Sequence, residues 1–88
     1  MKKILIYSSL ICPYCIAAKK LFENQKLKYT EILIDNDPDE KKKMISLSGG
    51  RNTVPQIFFD DFHIGGYDDL MRLFEDGDLS RKLEDEKT

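Results

Sequence analysis

Cys12 and Cys15 are the only cysteines of the chain, separated by two residues in the stretch SSLICPYCIAAKK that runs from Ser8 to Lys20. A pair so spaced serves as half of a metal site, as a structural bridge, or as a dithiol that exchanges electrons with other thiols. Structural zinc takes about four ligands. Beyond this pair the chain offers one histidine, His63, and carboxylates, with neither a second cysteine pair nor a paired histidine, so no metal site is assigned. A lone Cys-x-x-Cys in a reducing compartment is catalytic before it is structural, and the spacing therefore points to thiol–disulfide chemistry.

The neighbouring residues separate the two sulfurs. Pro13 follows Cys12 directly, which suits the first position of a helix, where the missing proline N–H costs nothing. Cys12 then falls at the N-cap, with its sulfur facing the free N–H groups of Tyr14 and Cys15. The helix dipole alone contributes about 0.3–1 kcal/mol, less than one pKa unit at about 1.4 kcal/mol per unit. Hydrogen bonds to a charged acceptor add about 1.5–3 kcal/mol, enough in sum to lower a thiol of pKa about 8.5 by about two units. Cys15 lies one turn further in on the same helix face, more buried and less ionised. Cys12 is thus the attacking sulfur and Cys15 the resolving one. Residues three apart on a helix also fall within the window of about 4.4–6.8 Å between Cα atoms that a disulfide needs.

The elements that must hold this pair follow from the pattern. KILIY (Lys3 to Tyr7) is an apolar run without alternation, the mark of a central strand buried on both faces. Ala17, Ala18, Leu21 and Phe22 recur at helical spacing, which predicts a helix over 13–24. KYTEILID (Lys28 to Asp35) reads as a second strand. Asp37 as N-cap, Pro38 at the first helical position and Glu40 three residues after the cap start a second helix that ends at Gly49-Gly50. QIFF and FHIG around Asp60-Asp61 form a hairpin, and GYDDLMRLFEDG a third helix with Leu70, Leu73 and Phe74 inward and Gly77 as its stop. A turn over Leu79 to Leu83 and a frayed tail over 84–88 complete the chain. The order β-α-β-α-β-β-α predicts an α/β fold: two parallel strands joined by a right-handed crossover, plus an antiparallel hairpin, in a mixed four-stranded sheet flanked by helices.

Composition sets the class. Eighty-eight residues with a formal net charge of -2 make one domain, 1–88, with no basic field for nucleic acid or an anionic membrane. The apolar run Ile4 to Tyr7 after two lysines is shorter than the roughly 7–15 residues of a signal-peptide core. No run approaches the about 20 apolar residues of a membrane span, and a cytoplasmic location is expected. Lys41 to Lys43 read as the solvated face of the second helix, His63 as a surface or strand-packing residue, and Lys19 and Lys20 as too far along the first helix to act strongly on Cys12.

Three motifs in order, Cys12-Pro13-Tyr14-Cys15 between a first strand and first helix, Thr53-Val54-Pro55 before a hairpin, and Gly65-Gly66-Tyr67-Asp68-Asp69 opening a helix, resemble the dithiol glutaredoxins of the thioredoxin superfamily. The resemblance runs from about Lys3 to Leu83. Thioredoxins typically carry a Trp before the first cysteine, and this chain has no Trp. The resemblance implies a thioredoxin-like fold and a glutathione site. Pro55 would be a cis-proline facing the cysteines, with the Val54 backbone pairing with the cysteinyl part of glutathione. The N–H groups of Tyr67 and Asp68 would hold the γ-glutamyl carboxylate, and the Asp68 side chain its ammonium. Tyr14 would wall the groove, and Thr53 and Gly66 belong to the same two binding motifs. Asp69 reads as a first-turn acid favouring the helix dipole.

Two positions depart from the family pattern. Ser9 stands where many glutaredoxins have a Lys three residues before the nucleophile, so Arg51 is expected to supply the charge for the glycyl carboxylate. Tyr67 stands where a small residue or Cys is common. The implied activity is glutathione-dependent reduction of protein–glutathione mixed disulfides and protein disulfides. The resemblance further implies glutathione as the co-substrate, no tightly bound cofactor and a monomeric protein. Glutathione reductase and NADPH would stand upstream, and ribonucleotide reductase is a family-typical client. Two other readings accompany the dithiol motif: an electron donor served by thioredoxin reductase, and a carrier in which Cys12 and a glutathione thiol ligate a 2Fe–2S cluster between two protomers. Dedicated carriers resemble Cys-Gly-Phe-Ser at this site, unlike Cys-Pro-Tyr-Cys.

Overall fold

The central strand is the one richest in buried β-branched residues. In a computed structural model that describes residues 1–84, β1 (Ile4–Ser8) lies between β2 (Tyr29–Leu33) and β3 (Gln56–Phe59), and β4 (Phe62–Gly65) closes the sheet in the order β2-β1-β3-β4. β1 and β2 are parallel, and β1/β3 and β3/β4 are antiparallel. Helices α1 (Pro13–Asn24), α2 (Pro38–Leu47), α3 (Tyr67–Glu75) and α4 (Leu79–Leu83) complete the order. The tail reading falls, apart from Glu84, on residues 85–88, outside the described part.

Alternation along β1 divides the interior in two. Ile4 and Ile6 pack with Ala18 and Phe22 of α1, Ile57 and Phe59 of β3, and Leu70, Leu79 and Leu83 from α3 and α4. On the opposite face Tyr7 meets Met44 of α2 and Phe58, with Leu5, Ile32 and Val54 packed against them. The α2 start is as expected, with the Asp37 carboxylate accepting the Glu40 N–H at 3.2 Å. At the hairpin, Asp60 takes the left-handed conformation, φ 52°, which Asp tolerates better than most residues.

Two readings are corrected. Phe74 is 37% exposed rather than inward, and Leu79–Leu83 is a helix with both leucines buried rather than a plain turn. Both follow from the chain reversal at Gly77, φ 76°. It ends α3 and folds α4 back, so that Leu79 and Leu83 join the core cluster that lacks Phe74. A 2.8 Å bond from the Lys2 N–H to the Leu83 carbonyl ties α4 to the chain start.

The pairing register decides where the chemistry sits. β1 runs out at Ser8 into the cysteine loop, and β3, antiparallel with Tyr7 opposite Gln56, begins at the same edge. β4 ends with Gly65 opposite Ile57, which brings the start of α3 there as well. Three segments far apart in sequence thus converge on one edge: 9–15, 51–55 and 65–69. Truncating Phe22, which is fully buried, to Ala is expected to cost about 3–5 kcal/mol of unfolding free energy. Phe74→Ala should cost about 1 kcal/mol or less, a contrast that urea denaturation monitored by circular dichroism will read.

Candidate active site

Cys12 occupies the N-cap of α1 in an extended conformation, φ -154° and ψ 98°, and Pro13 takes the first helical position. Its sulfur accepts the Cys15 N–H at 3.1 Å. Of the two N–H groups expected to face the sulfur, the hydrogen bond comes from Cys15. The two cysteines form a disulfide with Cα atoms 5.2 Å apart. Cys12 retains 7% exposure and Cys15 none, so an incoming sulfur reaches Cys12. Reduction would leave the Cys12 thiolate with the same N–H donor and with the positive end of a twelve-residue helix, both of which favour the charged form. The Val54 carbonyl oxygen lies 3.8 Å from the Cys12 sulfur.

The loop that delivers Cys12 hangs on one carboxylate. Asp35, just after β2, accepts the Ser9 hydroxyl through Oδ1 and the Leu10 N–H through Oδ2, both at 2.8 Å. The Ser9 bond first, and then the Leu10 N–H, hold Asp35 below the usual carboxylate range. Leu10 and Ile11 are 69% and 92% exposed and so contribute little burial of their own. Sequence reasoning did not single out Asp35; its only local signal is a polar residue at the end of a strand. Ser9 is therefore a loop anchor here. Behind it, Ser8 and Lys19 both donate to Glu31, Lys19 at 2.7 Å. Those two bonds, led by Lys19, hold the Glu31 carboxyl low. The Lys19 charge is engaged there rather than at Cys12.

Beside Cys12 opens a cleft of about 180 Å³ lined by Tyr14, Arg51, Val54, Pro55, Tyr67, Asp68 and Asp69. The Val54–Pro55 peptide bond is cis. The rings of Tyr14 and Tyr67 stand 5.7 Å apart between centroids, joining the starts of α1 and α3. The start of α3 is built by Asp69, whose Oδ2 accepts the Gly66 N–H at 3.0 Å and meets Arg51 Nη1 at 3.4 Å. Gly65, at φ 121°, is required twice over: a Cβ there would stand 2.1 Å from Asp69 Oδ2. At Gly66 a Cβ would stand 3.5 Å from both Arg51 Nη2 and the Pro55 carbonyl, an ordinary contact distance that places Gly66 against both segments. Thr53 does not line the cleft; its carbonyl and hydroxyl oxygens accept from the Gln56 amide at 3.0 and 3.3 Å.

A larger hollow, about 450 Å³, is lined by Lys2, Phe62, Asp78, Arg81, Lys82 and Glu84. None of these residues belongs to the cysteine loop, the 53–55 turn or the start of α3. The smaller cleft is the one that lies beside the cysteine pair.

A thioredoxin-like sheet that ends in a helix-capping Cys-x-x-Cys pair, with a cis-proline turn alongside, defines a thiol–disulfide oxidoreductase. The glutaredoxin family model matches residues 4–64. The chain is 50% identical over 82 residues to glutaredoxin 1 of Rickettsia typhi, covering 92% of this chain and 79% of that protein. It is 43% identical over 83 residues to glutaredoxin 3 of Escherichia coli K12, covering 94% and 99%. Its backbone superposes with a TM-score of 0.83 on a buckwheat glutaredoxin–glutathione complex, at 32% identity over 93% of this chain and 76% of the other. The chain belongs to the glutaredoxin family.

Electrostatics set an acid response with two limbs. Burial, with a smaller contribution from the Arg51 charge and against the opposing pull of Asp69, holds the His63 ring below its ordinary value. Below about pH 6.5 the unfolded chain takes up the histidine proton more readily than the folded one. The stability present above that pH is therefore lost as pH falls through the lower folded value. Glu31 and Asp35 are also lowered. Their contribution is complete above the ordinary carboxylate range of about 3.9–4.3 and is lost only as pH falls through their still lower folded values. Urea midpoints measured across this range should fall in two steps, and His63→Gln should remove the upper step alone.

Proposed function

We propose that this glutaredoxin reduces protein–glutathione mixed disulfides and protein disulfides with glutathione as the electron donor. The observation that carries the reading is the cleft beside the Cys12 sulfur. It combines the Val54 backbone before a cis-proline, a helix N-terminus with Asp68 and a cationic Arg51, the complement of a peptide with an amine and two carboxylates. The buckwheat relative, whose structure is a complex with glutathione, supports the same ligand here.

In a mixed disulfide the Cys12 thiolate attacks the glutathione sulfur. A bond from Cys12 to glutathione forms, the bond to the protein breaks, and the protein thiolate leaves and takes a proton. A second glutathione thiolate then attacks that sulfur, releasing glutathione disulfide and restoring Cys12; one disulfide is exchanged for another, and one free glutathione is consumed per turnover. In a protein disulfide, Cys12 forms the mixed disulfide and Cys15, one turn inside α1, attacks it and closes the bond between the two cysteines. Two glutathiones reopen that bond. Reduction potentials of about -200 to -230 mV in glutaredoxins lie near the glutathione pool, so both routes run without a strong driving couple.

Val54 offers its backbone to the cysteinyl unit as an added strand would. The free N–H groups of Tyr67 and Asp68 receive the γ-glutamyl carboxylate, and the Asp68 carboxylate its ammonium. Tyr14 and Tyr67 wall the groove, with Thr53 and Gly66 shaping its turn and corner. Arg51 receives the glycyl carboxylate. A guanidinium has five N–H donors, so it keeps Asp69 while presenting another edge to the ligand. The protein acts as a monomer in the cytoplasm, recharged by glutathione reductase and NADPH, with ribonucleotide reductase among its clients.

The test is turnover of a glutathionylated peptide with glutathione, glutathione reductase and NADPH. Cys15→Ser should retain activity and Cys12→Ser abolish it. Arg51→Ala should raise KM for the peptide about tenfold or more, the loss of one charge-assisted contact. A wild type that is inactive with glutathione but driven by thioredoxin reductase would overturn the glutathione assignment, as would an Arg51 variant with unchanged KM for that residue's role.

A further inference from the structure

Among the described residues, Gln56 is the one side-chain amide placed wholly inside the molecule, at 0% exposure on β3. An apolar side chain would fill the same space without needing partners. What distinguishes Gln56 is where its bonds go. Its Nε2 donates to the Thr53 carbonyl at 3.0 Å and to the Thr53 hydroxyl oxygen at 3.3 Å, and its Oε1 lies 2.7 Å from His63 Nε2. The His63 ring is held in turn against Phe58, 4.9 Å between centroids.

The chemistry orders this chain of contacts. The Thr53 carbonyl can only accept, so the NH2 end of the Gln56 amide must face it and the oxygen end must face His63. That oxygen can only accept as well, so His63 must carry its proton on Nε2. The result is a directional relay from β4 through β3 to the turn that precedes Pro55: His63 donates to Gln56, and Gln56 donates to Thr53. A doubly protonated ring would still donate from Nε2, so the relay keeps its direction in either charge state.

We propose that Gln56 and His63 are positioning residues for the glutathione cleft, setting the Thr53–Val54–Pro55 turn at the height where the Val54 backbone meets its ligand. The proposal rests on the glutathione reading above. Neither side chain lines the cleft, so neither is catalytic; both act through Thr53. The turn brings the Val54 carbonyl within 3.8 Å of the Cys12 sulfur, but the donor on that sulfur is the Cys15 N–H, which the relay does not touch, so the relay governs ligand capture and leaves that donor in place.

The experiment compares wild type with Gln56→Met, which keeps the length and loses all three bonds, and with His63→Phe, which keeps the ring and loses the donor. His63→Gln restores an N–H donor. Steady-state turnover of a glutathionylated peptide is measured together with the Cys12 thiol titration by thiolate absorbance. The expected result is a KM raised about tenfold in Gln56→Met and about threefold or more in His63→Phe, with kcat within about twofold, an unchanged thiol titration, and KM recovered in His63→Gln. In wild type, nitrogen NMR should show neutral His63 protonated at Nε2. A variant that is merely less stable loses kcat in proportion to its unfolded fraction and keeps its KM, so a fall in kcat with KM unchanged would overturn the proposal. So would a shifted Cys12 titration or a His63 protonated at Nδ1. A wild type without glutathione turnover would instead remove the glutathione reading itself, and this role with it.

Discussion

The 3.1 Å bond from the Cys15 N–H to the Cys12 sulfur is the contact that the rest of the structure serves. It exists only if Cys12 holds an extended N-cap conformation while Pro13 is already helical, two backbone states that must meet at one residue. Leu10 and Ile11 of the loop 9–12 project into solvent and add little burial to fix that meeting. Asp35 fixes it from outside, gripping a hydroxyl and an N–H of the loop at once. Below it, the tie of Ser8 and Lys19 to Glu31 joins β1, α1 and β2, so the strand that launches the loop and the helix that receives it are held as one body.

Charge around the sulfur is balanced locally. Lys19 is neutralised by Glu31, and Arg51 leans on Asp69. The helix end and its N–H donors are thus left as the principal influence on Cys12, and the chain manages without a lysine at position 9. The second consequence is division of labour at the start of α3. Asp69 completes the helix cap, while its neighbour Asp68 is free to face the cleft.

Much of this architecture was legible in the sequence because it is local. The Cys-Pro step, the Asp37 cap, the Asp60 hairpin and the apolar run of β1 each encode their conformation within a few residues, and the element order then fixed the sheet. What escaped was long-range and polar. The Asp35 clasp spans 26 residues and looks in sequence like any strand-end acid. His63 read as a surface or strand-packing residue, and its ring packs on Phe58, but its partner Gln56 carries no sequence signal of burial. The inward assignment of Phe74 failed for a different reason: helical periodicity identifies a face but not where a helix leaves the core, and the reversal at Gly77 gave that place to α4.

Gly65 and Asp69 together constrain how this site can change over evolutionary time. The backbone at Gly65 lies in a conformation that disfavours any side chain, and the space a side chain would need is already taken by the carboxylate that caps α3. Shortening Asp69 to Ala would remove the two nearest atoms but leave its Cβ at 3.0 Å, keep the backbone conformation, uncap the helix and release Arg51. Relaxing the backbone would leave the carboxylate in the way. Neither partner offers a single-step mutational path to a different residue at 65, so drift in this family member must go around the corner of the cleft rather than through it.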